Sequence, residues 1–150
     1  MNETDAAESP NRLPVGHRFP DRSFAIEPLR VEEFVTALGI EPETPSWSPT
    51  VGSSVPPGFL MYVTTYGADA IHEGFDIDFR RAMYGGMDIE FFHPIRIGDT
   101  VRVSPTLSKV SEKESRNGHL TFVELTCEYF SPDGTLAARE RSTTIQRGNP

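Results

Sequence analysis

At 150 residues, with 37% hydrophobic positions and ten phenylalanines, the chain is long enough for one domain that buries about two-thirds of its unfolded surface. A formal net charge of −8 argues against a nucleic-acid partner, which favours a basic face, and fits a solvated acidic surface. The single cysteine, Cys127, excludes an internal disulfide, and no apolar run is long enough to span a bilayer.

Residues 1–15 are polar and rich in turn formers, which predicts a disordered tail ahead of a single domain over 16–147. No basic segment followed by an apolar run opens the chain, so no signal peptide is expected and the reading is cytoplasmic. Residues 19–27 suit a first strand, with Phe24 and Ile26 on one parity. Val31, Phe34, Val35 and Leu38 then recur at i, i+3, i+4 and i+7, one apolar stripe on a short helix closed by Gly39. Residues 40–57 carry Pro42, Pro45, Pro49, Pro56 and Pro57, a density no regular element survives. Trp47 is read there as an anchor packed onto the core, ahead of a ligand-stacking role. Residues 58–67 are apolar nearly all round, as in a buried helix, and Pro57 suits its start. Residues 68–81 take no assignment, and Tyr84-Gly85-Gly86 is expected to break the chain before the next strand.

The remainder is strand-rich. Met87, Ile89 and Phe91 alternate with Asp88 and Glu90, the pattern of a strand with one buried face, and the run stops at His93-Pro94. Ile95 and Ile97 precede a Gly98-Asp99 turn, and Val101 and Val103 follow it. That strand continues through Leu107 and Val110, with Pro105 demanding an edge or a bulge. Asn117-Gly118 marks a hairpin, residues 120–130 a long strand, Ser131-Pro132-Asp133-Gly134 a tight turn, and residues 136–146 a closing strand. Cys127 falls in the long strand, where a buried inert thiol is expected. The order predicts an α+β fold in which an antiparallel, curled sheet wraps one buried central helix, the hot-dog arrangement.

Several strings resemble the MaoC-like hydratase/dehydratase family, in particular its N-terminal, fatty-acid-synthase-type dehydratase domain, over residues 16–147. Pro56-Pro57-Gly58-Phe59 is similar to the family's Pro-Pro-Thr-Phe opening of the central helix, with glycine in place of threonine. Tyr84-Gly85-Gly86 resembles its His-Gly-Glu lead into the sheet, with tyrosine in place of histidine. Phe92-His93-Pro94-Ile95-Arg96-Ile97-Gly98-Asp99 resembles its Tyr/Phe-His-Arg-Pro-Leu-Arg-x-Gly-Asp string with one residue fewer. The last string is structural in the family, so it speaks for fold more than chemistry.

The resemblance implies reversible addition of water to a 2-enoyl thioester. That chemistry needs an acid and a base near the α and β carbons, and donors at the carbonyl. Catalytic family members carry an aspartate and a histidine in the loop before the central helix, whose N-terminal N–H groups serve the carbonyl. Here residues 40–57 hold neither; Glu41 and Glu43 are the ionisable groups in that loop. The resemblance therefore implies a non-catalytic sister domain that widens the acyl channel beside a catalytic hot-dog subunit. Substrate-binding positions on that reading are Phe59 and Tyr62 on the central helix, and Tyr84, Gly85 and Gly86. No catalytic residue, cofactor or metal is assigned.

Other polar residues weigh less. Asp69 and His72 share an i, i+3 spacing common on solvated helix faces, His93 ends a strand, and His17 and His119 lie near turns. Tyr84 is a candidate hydrogen-bond donor to a thioester, set against simple packing beside the glycines. Two alternatives stay open: an autonomous homodimeric dehydratase or thioesterase using Tyr84 with His72 or His93, and a non-catalytic acyl- or polyketide-binding module. The expected partners are an acyl-CoA or acyl-carrier thioester and a second hot-dog chain, with no nucleic acid or membrane.

Overall fold

Among the described residues five antiparallel strands form one sheet: β1 (Arg22–Ala25), β2 (Ala82–Phe91), β3 (Thr100–Ser115), β4 (Gly118–Phe130) and β5 (Leu136–Arg147). Their order is β1-β3-β4-β5-β2, and the sheet curls around helix α2 (Phe59–Gly67), with α1 (Pro28–Ala37) beside it. The computed structural model describes residues 13–41, 47–67, 77–78, 80–116 and 118–148. The expected tail over 1–15 therefore falls almost wholly outside the described residues, as do Asp69, His72 and Asn117.

Alternation drives the sheet. Along β4, Thr121, Val123, Leu125, Cys127 and Tyr129 are buried, and each intervening residue is half-buried. The core forms two clusters on this concave face. Under α2 lie Phe59, Leu60 and Val63 against Val101, Val103, Ile95, Ile97 and Tyr129. Toward the β3–β4 hairpin lie Phe19, Ile77, Leu107, Val123 and Leu125. Trp47 packs on the first cluster and donates its indole N–H to the Ser54 carbonyl at 2.9 Å.

The short helix α1 buries Val31 and Val35, with Phe34 half-buried. Leu38, expected on the stripe, is instead 60% exposed, because it is the cap residue where the chain already turns away. Gly39 takes φ +73° and donates to the Thr36 carbonyl while Ile40 donates to that of Val35, the paired bonds of a glycine-terminated helix.

Three strand expectations need correction. Tyr84-Gly85-Gly86 does not break the chain ahead of β2; it lies within it, where the pairing with β5 shifts between Tyr84 and Gly86. Gly85 is the extra residue of this bulge, and a Cβ there would meet Ile145 Cδ1 and the Thr143 carbonyl at 3.1 Å. Gly86 takes φ +138°, which side chains rarely permit, so two glycines let the strand kink and continue. Second, Ile95 and Ile97 are buried but lie outside any strand. Flanked by Pro94 and Gly98, this segment is bonded to the proline-rich loop, Val55 N to the Ile95 carbonyl and Gly52 N to the Ile97 carbonyl. Third, the first strand is shorter than residues 19–27. Residues 16–19 still follow β3 irregularly, with Phe19 N bonded to the Pro105 carbonyl at 3.0 Å. That contact also explains Pro105 inside β3: its missing N–H points to this irregular flank and not to β4.

Candidate functional site

The N-terminal turn of α2 follows from its prolines. Pro56 and Pro57 fix the approach, and the amides of Phe59, Leu60 and Met61 donate to the carbonyls of Pro56, Pro57 and Gly58 at 2.9, 3.3 and 3.2 Å. These first-turn donors are thus engaged within the turn. In front of them, Val55 and Pro57 face Phe91, Phe92 and Ile95 across an apolar cleft of about 300 Å³. That volume lies at the lower end of the small-molecule range. On the other side of His93-Pro94 a polar cleft of about 500 Å³ opens between Arg96, Asp99, Ser131, Asp133 and Thr135. Its polar groups serve mainly the turns: Asp99 accepts from Arg96 N at 3.1 Å and Asp133 from Thr135 N at 2.9 Å, which holds the Asp133 carboxyl below its usual range. The exposed His93 stands on the ridge between the two clefts.

The five residues singled out from sequence fall into two groups at opposite sheet edges. Phe59 and Tyr62 stack at 5.3 Å, and Phe24 and Phe34 close the cluster with edge-on contacts at 6.2 to 6.5 Å and 5.6 Å. Phe59 is fully buried; Tyr62 is half-buried and its hydroxyl accepts from Arg30 Nη1 at 3.2 Å. Tyr84, Gly85 and Gly86 lie on β2, the edge strand far from β1. Ile89 pairs with Glu140 and Met87 with Ser142 on the concave face, and the bulge returns Tyr84, opposite Thr144, to that same face. Tyr84 is 57% exposed there. Partial burial, followed by the nearby charge of Glu140, raises its pKa, so it is a protonated donor at neutral pH.

One polar pair escaped the sequence reading. Glu140 is 1% exposed on β5, and its Oε2 accepts from the Tyr129 hydroxyl at 2.6 Å. The same hydroxyl lies 3.4 Å from the Leu60 carbonyl, so it sits between the sheet and the first turn of α2. The available signal was parity: Glu140 occupies the same face as the buried Ala138 and opposes the apolar-patterned Cys127. Burial, with the Glu140 charge second, pushes the Cys127 thiol up to about 12, which rules it out as a thiolate nucleophile near neutrality. Among the described residues no cluster of three His, Cys, Asp or Glu is placed to hold a metal, and no helix is long and apolar enough to cross a membrane.

Residues 14–140 match the FAS1-like, dehydratase domain region family. The chain is 30% identical over 116 residues to mesaconyl-C(4)-CoA hydratase of Chloroflexus aurantiacus, covering 70% of this chain and 41% of that protein. It thus spans well under half the length of that curated relative. Among solved structures, the C-terminally truncated HadBC (3R-hydroxyacyl-ACP dehydratase) complex from Mycobacterium tuberculosis superposes with a TM-score of 0.71 at 15% identity, over 90% of this chain and 98% of that one. The (R)-hydratase from A. caviae involved in PHA biosynthesis gives 0.60 at 20% identity, over 95% and 100%. The MaoC-like dehydratase from Rhodospirillum rubrum gives 0.62 at 17%, over 92% and 95%. At these identities the superpositions bear on the fold, which is the hot dog.

Proposed function

The chain belongs to the MaoC-like, FAS1-type dehydratase region family of hot-dog proteins, and from that premise we propose that it is the substrate-channel partner of a catalytic hot-dog domain. The assembly would hydrate enoyl thioesters or dehydrate 3-hydroxyacyl thioesters, carried on CoA or an acyl carrier. One observation carries this reading: residues 40–57, ahead of the central helix, contain no aspartate and no histidine. Water addition across an enoyl double bond requires a proton acceptor for the water and a donor for the α carbon. A chain with the family fold and an apolar cleft but no such dyad can hold acyl substrate while its partner supplies the proton transfers. In this reading the cleft beside Pro57, Phe91 and Phe92 accepts apolar substrate. Phe59 and Tyr62 on α2 and Tyr84, Gly85 and Gly86 on β2 do not line this cleft, so on this reading their part in binding requires a longer channel completed by the partner. We place the domain over residues 16–147 and its work in the cytoplasm, the reduced compartment that suits a lone buried thiol.

The test is turnover. Purified alone, the chain should not hydrate crotonyl-CoA; co-expressed with a hot-dog chain carrying the Asp…His loop, it should raise that partner's turnover or extend its chain-length range. Robust hydration by a verified homomer would overturn the reading. A second reading, an autonomous homodimeric enzyme with Tyr84 as donor, draws on the exposed phenol of the concave face, although Tyr84 and His93 stand at opposite ends of β2 and could act together only across two copies; homomeric turnover that disappears in Tyr84→Phe would support it.

A further inference from the structure

The core-facing positions of a strand report what lies over them. On β4 they are Val123, Leu125, Cys127 and Tyr129, all buried, with Thr121 toward the hairpin. Directly opposite on β5 the same face reads Ala138, Glu140, Ser142, Thr144 and Gln146. After Ala138 every concave position of β5 is polar, and from Ser142 onward each is half-buried. The strand beside it extends the row: β2 sets Met87 against Ser142 and, past the bulge, Tyr84 against Thr144. Residues so opposed bring their Cβ atoms to about 5 Å, which places the exposed Tyr84 beside Thr144.

Among the described residues the side-chain hydroxyls of Tyr84, Ser142 and Thr144 have no hydrogen-bond partner. Half-buried hydroxyls are poor neighbours for an alkyl chain and good ones for a group that donates and accepts. Glu140, buried at one end of the row, sets the sign of the field, and its charge acts on both Tyr84 and Cys127. A second carboxylate is disfavoured there, whereas a neutral oxygen is not. The row begins where the apolar cleft ends. Phe91, a wall of that cleft, opposes Ala138, and the Met87–Ser142 rung lies about 13 Å of strand further on. We propose that the concave face of β5, with Tyr84 of β2, is a subsite for an acyl chain oxygenated beyond its reacting carbons, with apolar carbons in the cleft and a neutral hydroxyl or keto oxygen over Ser142, Thr144 and Tyr84. This rests on the reading that the chain holds acyl thioesters, and it names the acyl class.

Three thioesters of equal chain length test it: dodecanoyl-CoA, ω-hydroxydodecanoyl-CoA and dodecanedioyl-CoA, each titrated into the full chain by calorimetry. An apolar channel would bind the hydroxylated probe more weakly than the alkyl one, because burial of its hydroxyl goes uncompensated. Here the hydroxylated probe should bind about fivefold more tightly than the alkyl probe, as one neutral hydrogen bond provides. The dicarboxylic probe should bind about fivefold more weakly than the hydroxylated one. Ser142→Ala with Thr144→Val should abolish the preference, and Thr144→Ser, which keeps a hydroxyl, should retain it. Thermal unfolding checks that the variants fold, and the comparison of probes on wild type depends on no variant. Alkyl binding as tight as hydroxylated, dicarboxylic binding as tight as hydroxylated, or a preference unchanged in the double variant would each overturn the proposal and leave the partner reading standing. Absence of binding by all three probes at about 1 mM would overturn it too, while the turnover test judges the partner reading separately.

Discussion

The two edges of this sheet are built from similar residues and finished in opposite ways. At the β1 edge, Phe24, Phe34, Phe59 and Tyr62 meet ring to ring, and α1 closes over them. At the β2 edge, Met83, Tyr84, Phe91 and Phe92 remain exposed and the strand carries a bulge. Aromatics with neighbours on every side hold the domain together, whereas aromatics left on an unpaired edge are available to something outside it. Composition does not separate these roles; what packs above each strand does.

The sharpest way to break the comparison is to truncate one ring at each edge. Phe59→Ala should cost about 3–5 kcal/mol of stability in urea unfolding, the range for deleting a buried phenylalanine. An effect below about 1 kcal/mol would mean that the β1 edge is as open as the other. Tyr129→Phe comes next, between the edges. It removes the donor to the buried Glu140 and the contact with the Leu60 carbonyl, and should cost about 1–3 kcal/mol by the same measurement.

At the open edge, Tyr84→Phe should leave the isolated chain's melting temperature almost unchanged. In the proposed assembly with a catalytic hot-dog partner it should cost about 0.5–1.5 kcal/mol in kcat/KM, the loss of one neutral hydrogen bond. A loss near 3–4 kcal/mol with stability intact would make Tyr84 a donor to a developing oxyanion and this chain catalytic. The smallest effect belongs to the hairpin tip, away from both edges. His119 Nδ1 lies 2.7 Å from Glu114 and Nε2 3.5 Å from Glu112, and the Glu114 hydrogen bond leads in raising its pKa. Because the folded value exceeds the ordinary 6.5, the stabilisation is complete below about pH 6.5 and is lost as pH rises through the folded value. Denaturant midpoints of wild type and His119→Gln should therefore differ at pH 5.5 and converge toward pH 9; a constant offset would exclude the titration.

The fold was legible where period and punctuation agreed. Residues 120–130 alternate cleanly, and β4 occupies nearly that span; Val31 and Val35 mark α1, and Pro57 marks the start of α2. The reading slipped where glycine or proline acts within a strand. Two glycines normally signal a stop, but at Gly85-Gly86 the paired strand β5 holds the chain through a bulge, a tertiary effect invisible locally. Phe91 shares the parity of Ile89 and so reads as buried, yet it is 41% exposed because it lies on an edge, and edges are set by strand order rather than by periodicity. Glu140 was missed for the complementary reason: a charged residue in an arginine- and threonine-bearing strand looks like surface until its partner Tyr129 is known.

The strand order has a kinetic consequence. β3, β4 and β5 are consecutive in the chain and adjacent in the sheet, so they can zip as two hairpins with short loops. β2 must instead wait for a partner that follows two intervening strands, and closing that longer loop carries a larger entropic cost. β1 closes a longer loop still, from Ala25 to Thr100, so both edge strands join after the three central ones. Amide exchange should register the two edge strands, β1 and β2, opening before β3, β4 and β5, and a chain docked on either edge would slow the unzipping of the strand it touches.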